Sequence, residues 1–247
     1  MRYLILILFS LNIFASQELE TFKQANTYYQ NGDYNKALEG YQTILDNGYE
    51  SSELYFNLGN TYYKLDLIGK SILNYERAKK LDPSNEDIVF NLKIVELRTV
   101  DKIDEIPQFF LKEIGANLIN SLSSDTWSIL SILSFSFASL MLILFLFSSS
   151  SPFKKTSFLV ATISVLIGLF TIISASNRAT IEIEGNKAVI MNATAYVKSS
   201  PSEESTDLFI LHEGTRCIIE DSVGQWFKVK IADGNVGWVS QSVIERV

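Results

Sequence analysis

Two long stretches without charge constrain the fold more than any other feature of this chain. No charged residue occurs between Asp125 and Lys154, and none occurs between Lys155 and Arg178. Each stretch reaches the ~20 apolar residues that a helix needs to cross a ~30 Å hydrocarbon layer. Soluble helices of this length normally carry a polar face, which argues against a pair of core helices. The predicted transmembrane helices are residues 127–147 and 157–176.

The connection between these helices, residues 148–156, is short and contains Lys154 and Lys155 as its only charges. The two spans therefore form a helical hairpin. Positively charged loops stay in the cytoplasm during membrane insertion. We predict a cytoplasmic loop, with both longer polar segments on the opposite side of the membrane.

The chain begins with the pattern of a secretory signal peptide. Arg2 precedes the apolar run Leu4–Leu11, and the small residue Ala15 follows it. A short cationic start, an apolar core and a small residue are the marks of an exported chain. We predict a signal peptide at residues 1–15, with an uncleaved anchor as the alternative, and both place the following segment outside the cytoplasm.

Composition argues against several classes of function. The net charge of −7 comes without a basic stripe for phosphate contacts, so we expect no nucleic-acid partner. One cysteine and one histidine cannot form a thiolate-rich zinc site. The sequence also lacks an evident nucleophile–base pair. We predict a protein that is not an enzyme and that has no metal site and no cofactor.

The segment at residues 18–99 repeats with a period of 34 residues. Tyr28 recurs as Tyr62, and Tyr41 recurs as Tyr75. Both the period and the pattern resemble the tetratricopeptide (TPR) family. The resemblance implies two antiparallel helix pairs in an all-α solenoid, closed by a capping helix from Glu86 to about Thr99. Small residues such as Gly59 and Ala78 should let the two helices of a pair approach closely, and we predict that Tyr75 and Ala78 are buried against neighbouring helices.

The concave face of such a solenoid is lined by the first helix of each pair and is the candidate binding site. The predicted contact residues are Asn26, Asn57 and Asn60. Asn26 and Asn57 match two positions of the carboxylate clamp found in some TPR domains. The cationic positions of the clamp are occupied instead by Phe22, Asp87 and Asn91. A carboxylate would be poorly held without those cations, which favours a different protein or peptide partner.

Residues 100–126 form a predicted linker, in which Pro107 ends any helix. Its apolar residues fit either a stripe on the membrane surface or a packed connector helix. These residues are Phe109, Phe110, Leu111, Ile114 and Leu118.

Residues 186–247 alternate in the manner of short β-strands separated by turn residues, which predicts a small barrel. The predicted strands are Val189–Val197, Thr215–Glu220, Trp226–Ile231 and Gly237–Ser240. The run 234–239, Gly-Asn-Val-Gly-Trp-Val, is one of several motifs here that resemble bacterial SH3 domains. Trp226 and Trp238 are core or rim aromatics, or else line a groove for a peptide or for peptidoglycan. Cys217 and Ile219 should point into the core, and His212 should lie beside a turn.

The chain is thus predicted to be multidomain, with an all-α solenoid, a transmembrane hairpin and an all-β SH3-like barrel. This order, and the segment around residues 98–111, resemble the BatE-type aerotolerance proteins. The resemblance implies a scaffold in a complex of Bat-type envelope proteins, bound through the TPR groove at the periplasmic side of the bacterial inner membrane. The alternative is a cell-wall anchor or sensor that holds peptidoglycan through the SH3-like domain. We expect the two soluble parts to be separate modules, each able to fold without the membrane if the capping helix is kept.

Overall fold

The computed structural model describes residues 17–103, 115, 118–119 and 121–247, with the backbone alone at residues 181–184. The predicted signal peptide and the Phe109–Ile114 part of the linker lie outside the described residues. The chain divides into two compact units. The first falls within Met1–Leu81, Asn85–Ile106 and Asn186–Val247, and the second comprises Asp82–Ser84 and Pro107–Gly185.

The first unit begins with a helical domain, defined here as residues 17–98. Its helices are α1 (residues 17–30), α2 (Tyr34–Asp46), α3 (Ser52–Lys64), α4 (Ile68–Leu81) and α5 (Glu86–Glu96). Two of these helices have side-chain caps, because the Ser51 hydroxyl accepts from the Leu54 amide and the Asn85 side chain accepts from the first turn of α5. The helix α5 is shorter than predicted, since it ends at Glu96 rather than near Thr99.

Small residues let the helices of each pair approach closely, as the repeat pattern predicts. A Cβ atom on Gly59 would lie 2.7 Å from the Tyr75 ring, so only glycine fits there without a shift. Tyr75 and Ala78 are 2% and 0% exposed, which confirms the prediction that both are buried. The repeat alignment therefore describes the packing of α3 on α4.

The sheet domain, defined here as residues 187–247, is an antiparallel sheet. Its strands are β1 (Lys187–Ile190), β2 (Ala195–Lys198), β3 (Asp207–Leu211), β4 (Arg216–Val223), β5 (Trp226–Lys230), β6 (Val236–Ser240) and β7 (Ile244–Arg246). Their order in the sheet is β3-β2-β6-β5-β4-β1-β7. The single strand predicted at Val189–Val197 was wrong, because the chain leaves the sheet after Ile190 and re-enters it at Ala195. The strands β3 and β7 were not predicted.

Every strand of the sheet domain contributes to one core. Val197, Val229 and Val239 are fully buried at its centre. Cys217 and Ile219 also lie in this core, which confirms their predicted inward orientation. A sheet whose strands all share one core is the arrangement expected for a small barrel.

The helical and sheet domains pack on each other within the first unit, which corrects the expectation of separate modules. Val189 of β1 is fully buried in a cluster with α4 and α5. The helical members of this cluster are Ile72, Leu73, Tyr75, Leu92 and Val95. The capping helix α5 thus does not close the helical domain alone, because the first strand of the sheet covers part of the same apolar surface.

The second unit contains two long helices, α6 (Ser124–Phe147) and α7 (Ser151–Glu184). Both are long and apolar enough to cross a membrane. Only residues 148–150 separate them, so the predicted loop at 148–156 is too long. Pro152 lies in the first turn of α7, where a proline is compatible with a helix, and therefore starts the helix rather than interrupting it. The helix continues past residue 176 and ends at Gly185, which adopts the left-handed conformation.

Candidate functional site

The predicted groove residues belong to a hydrogen-bonded asparagine–tyrosine ladder inside the helical domain. The Tyr41 hydroxyl donates to Asn26 Oδ1 at 2.6 Å, and Asn57 Nδ2 donates to the same oxygen at 3.1 Å. The same arrangement recurs 34 residues later. There Tyr75 and Asn91 both donate to Asn60 Oδ1, at 2.6 and 3.0 Å.

This ladder changes the interpretation of the three asparagines. Each is partly buried, and Asn26 and Asn60 each accept two bonds that tie neighbouring helices together. Burial raises the pKa of Tyr41 and of Tyr75, so both remain neutral donors across the physiological range. The three asparagines therefore have a structural role, and their role as ligand contacts stays a prediction.

The two predicted tryptophans lie on one face of the sheet. Trp226 pairs with Ser240 and Trp238 pairs with Lys228, so residues 226, 228, 238 and 240 point the same way. Val229 and Val239 alternate to the opposite side and are fully buried in the core. Trp226 and Trp238 are only partly buried, which makes them rim residues of an outward aromatic face.

The same face continues onto the neighbouring strands β2 and β3. Lys198 pairs with Trp238 in the register, and Tyr196, which is 55% exposed, pairs with the exposed Ile210. Lys198 Nζ bonds Asp207 Oδ1 at 2.9 Å. The surface is therefore aromatic and apolar with a few charges, a composition that suits a peptide or a sugar-containing ligand.

A group of charged residues, which sequence reasoning missed, joins the two domains. Glu76 of α4 is 3% exposed, and its carboxylate bonds Arg216 Nη1 at 2.8 Å and Lys187 Nζ at 3.5 Å. Arg216 also reaches Glu96 of α5, through Nη2 at 2.8 Å. Burial alone would raise the pKa of Glu76, but Lys187 and Arg216 outweigh it and hold that pKa below its usual value. A buried carboxylate of the helical domain is thus neutralised by cations of the sheet domain.

A second polar contact joins residues just after α5 to the turn between β3 and β4. Asp101 accepts from the His212 backbone amide and from the Thr215 hydroxyl, and its other oxygen lies 2.7 Å from His212 Nδ1. Burial would raise the pKa of Asp101, but the bonds from Thr215 and His212 outweigh it and lower that pKa. Ile103 packs on the sheet core beside these bonds. The start of the predicted linker is therefore part of the first unit.

The same turn also caps a helix of the other domain. Glu213 Oε1 accepts from the Gly69 amide at 2.8 Å, and Gly69 lies in the first turn of α4. A carboxylate at a helix N-terminus satisfies a free amide and interacts favourably with the helix dipole. His212, predicted beside a turn, does lie there and is hydrogen-bonded.

The junction of the domains also forms a cleft of about 280 Å³. Its charged lining groups bond each other or the backbone, since Asp101 holds Thr215 and Lys102 bonds the carbonyls of Glu96 and Leu97. The Thr215 hydroxyl bonds Asp101 rather than His212, so the histidine is not placed to activate it. Burial raises the pKa of the Cys217 thiol to about 12, which keeps it protonated. Among the described residues, no group of three or more acidic, histidine or cysteine side chains is arranged to hold a metal.

The sequence carried no evident signal for this junction, which the structure reveals through the burial of α4. Buried residues occur all around α4, including Ser71 and Asn74 as well as Glu76. A helix buried on more than one face needs more than one covering surface. The sheet domain supplies the second covering surface of α4, through Val189 and through the cations that pair with Glu76.

Two comparisons with known families agree with this architecture. A model of the bacterial SH3 domain matches residues 193–245, and a tetratricopeptide-repeat model matches residues 52–85. No curated protein matches the chain. Each family match covers a minor part of the chain and identifies a type of domain. Both types indicate a role in protein interaction or in cell-wall binding.

Proposed function

We propose that this chain is a membrane-anchored interaction scaffold of the bacterial envelope. In this proposal the TPR solenoid and the SH3-like barrel act as one binding body. The observation that carries it is the junction built around Glu76, Arg216 and Asp101. Its residues come from segments before and after the apolar hairpin in the sequence, which supports a placement of both domains on the same side of the membrane.

The charges of the hairpin support a periplasmic position for this body. Lys154 and Lys155 lie at the tip of the hairpin, where the positive-inside rule favours the cytoplasm. The chain would then sit in the inner membrane, in agreement with the predicted signal peptide. A reporter after Val247 or within residues 47–50 should be active in the periplasm, and one at Ser150 in the cytoplasm. A cytoplasmic signal after Val247 would exclude this topology.

The resemblance to BatE-type proteins supports a more specific proposal, in which the scaffold belongs to a Bat-type complex linked to oxygen or stress tolerance. Partners with von Willebrand factor A domains and an AAA-type ATPase are implied by that resemblance. We propose no catalytic role for the chain, because Asp101, His212 and Thr215 bond one another as a structural group. Affinity capture of the full chain from membranes should recover Bat-type proteins. Recovery of wall fragments alone would reject this complex.

The outward aromatic face supports the second candidate function, a peptidoglycan anchor or sensor. Trp226 and Trp238 present partly exposed rings on one surface, and ring faces of this kind stack well on sugars and peptides. Trp238→Ala should weaken binding of the full chain to purified cell wall. Tyr49→Ala is the matched control, because Tyr49 is a 40% exposed aromatic of the helical domain. Equal wall binding by the parent and both variants would remove this candidate.

A further inference from the structure

The helix α5 carries an apolar stripe that faces solvent. Phe90, Ile94 and Leu97 are 62%, 38% and 74% exposed. Their i, i+4 and i+7 spacing places them on one side of the helix, while Ile88, Leu92 and Val95 are buried on the other. Large apolar side chains grouped in this way on a soluble domain mark an interaction surface.

The repeat explains why this stripe is apolar. Phe90 stands at the same position of the 34-residue repeat as Phe22 and Phe56. These two rings are partly buried and contact Tyr41 and Tyr75, the aromatic residues of the second helix in each pair. Among the described helices of the first unit, none takes the equivalent place beside α5. The stripe is therefore built to be covered by a helix that the described part of this unit does not supply.

The residue type at position 94 also supports an apolar covering, because it differs from its repeat equivalents in the asparagine–tyrosine ladder. Ile94 stands at the position of Asn26 and Asn60, whose side chains accept the hydroxyl bonds of Tyr41 and Tyr75. The repeat position after Tyr41 and Tyr75 is Phe109, which has no hydroxyl to donate to a third asparagine. The sequence accordingly has the apolar Ile94 in place of that asparagine. The ladder ends at Asn91, and the surface beyond it suits an apolar covering.

The charges along α5 point to the identity of the covering helix. Glu86 and Asp87 lie in its first turn, and Arg98 lies two residues past its last residue, Glu96. In an antiparallel pair of such helices, the acidic end of each meets the basic end of the other. Arg98 bonds Asp66 within its own chain and is 43% exposed, so its guanidinium remains accessible. A surface that is complementary to itself is the requirement for a two-fold symmetric interface.

We propose that α5 is the contact of a homodimer, in which the stripe of one copy packs antiparallel on the stripe of a second. The two-fold axis passes near Lys93. Phe90 of one copy then lies near Ile94 of the other, and Glu86 lies near Arg98. Packing two apolar stripes together removes both from water, and the paired charges set the antiparallel direction.

Disulfide trapping of the full chain in lipid nanodiscs tests the geometry. Lys93→Cys should form a disulfide-linked dimer under mild oxidation, because residues near a two-fold axis approach their own copies. Lys64→Cys, at an exposed position on α3, is the matched control and should stay monomeric. Native Cys217 is 4% exposed and does not compete. Absence of a Lys93→Cys dimer, or equal cross-linking of the control, would overturn the proposal.

Charge insertion tests the stripe itself in the native-cysteine chain. Phe90→Glu and Leu97→Glu should each weaken dimerisation about tenfold or more, since each buries a carboxylate in an apolar contact. Ile210→Glu is the control, because Ile210 is a 45% exposed apolar residue on the sheet face. Thermal melts of the monomeric fractions should agree among the variants. A large loss of melting temperature at Phe90→Glu alone would show that the chain covers its own stripe, against the proposal.

Glu86→Lys distinguishes a second copy from a lipid surface. In a dimer the new lysine faces Arg98 of the other copy, so association should weaken. On a membrane with anionic lipids the same change would strengthen binding. Stronger vesicle binding with an unchanged monomer–dimer equilibrium would reject the dimer in favour of the membrane.

Discussion

Removing the base of the junction ion pairs should destabilise the chain more than removing the acid. Glu76 is 3% exposed, whereas the side chains of Arg216 and Lys187 are 40% and 59% exposed. Arg216→Met therefore leaves a buried carboxylate whose remaining cation, Lys187, is 3.5 Å away. Glu76→Gln instead leaves two cations that water can reach.

The expected free energies follow from this difference in burial. Removing one partner of a fully buried pair costs about 3–5 kcal/mol. Because Lys187 stays near Glu76 and Arg216 is partly exposed, Arg216→Met should cost about 2–3 kcal/mol, at or below the lower end of that range. Glu76→Gln exchanges charge-assisted bonds for neutral ones and should cost about 1 kcal/mol. The double variant should lose less than the sum of the two, since no buried charge remains to be left unpaired.

Hydrogen exchange of α4 in the full chain measures these changes, because the Gly69 amide bonds Glu213 across the junction. Faster exchange of α4 peptides in Arg216→Met than in Glu76→Gln is the expected order. Lys23→Met is the control, since it removes the exposed Lys23–Glu20 pair, and such pairs contribute only about 0–1 kcal/mol. An equal response of both junction variants, or a response no larger than that of the control, would refute the argument.

Two further predictions concern the ladder and the effect of acid. Asn60→Ala should destabilise the helical domain by about 1–3 kcal/mol, because it leaves the buried Tyr75 hydroxyl without its acceptor. Asn35→Ala, at an exposed position, should change stability little, and thermal melts of the two variants test the difference. The folded-state pKa values of Asp101 and Glu76 are both lowered. These two carboxylates therefore contribute fully to the free energy of unfolding above their unfolded-state pKa values of about 4. That contribution is lost as the pH falls through their lower folded-state pKa values. Hydrogen exchange of α4 should accelerate on acidification, and it should accelerate less in Asp101→Asn. An acceleration of the same size in that variant would contradict the role of Asp101.

Periodicity predicted those parts of the fold that depend on neighbours along the chain. The 34-residue repeat anticipated the burial of Tyr75 and Ala78, and strand alternation anticipated the orientation of Cys217. The two stretches without charge anticipated the two long apolar helices. These features depend on the spacing of residues within one element, which the sequence displays directly.

Contacts between distant segments were not visible in the same way. Glu213 and Gly69 are 144 positions apart, and nothing in the local pattern of either residue identifies the other. The strand β3 was missed because Asp207–Leu211 is a nearly continuous apolar run without alternation. For the candidate site, the sequence identified the three asparagines by position, but their hydrogen bonds to Tyr41 and Tyr75 depend on packing that the repeat alone does not reveal.

The junction also changes what should happen when the helical domain is produced alone, as residues 16–99. Such a fragment lacks Val189, which is fully buried against α4 and α5 in the intact chain, and it lacks both cations that neutralise Glu76. Losing the burial of one valine costs about 1.5–3 kcal/mol, and a carboxylate without its partners either becomes hydrated or is protonated. We therefore expect the fragment to melt at a lower temperature than the helical domain of the intact chain, with most of the loss in α4 and α5. Glu76→Gln should therefore change the stability of the fragment little, although it destabilises the full chain, because the fragment lacks the cations that this carboxylate pairs with. Circular dichroism of the fragment with and without this change, beside hydrogen exchange of the full chain, measures both effects. If Glu76→Gln lowered the stability of the fragment as it does that of the full chain, the cations of the sheet domain could not be what stabilises this carboxylate.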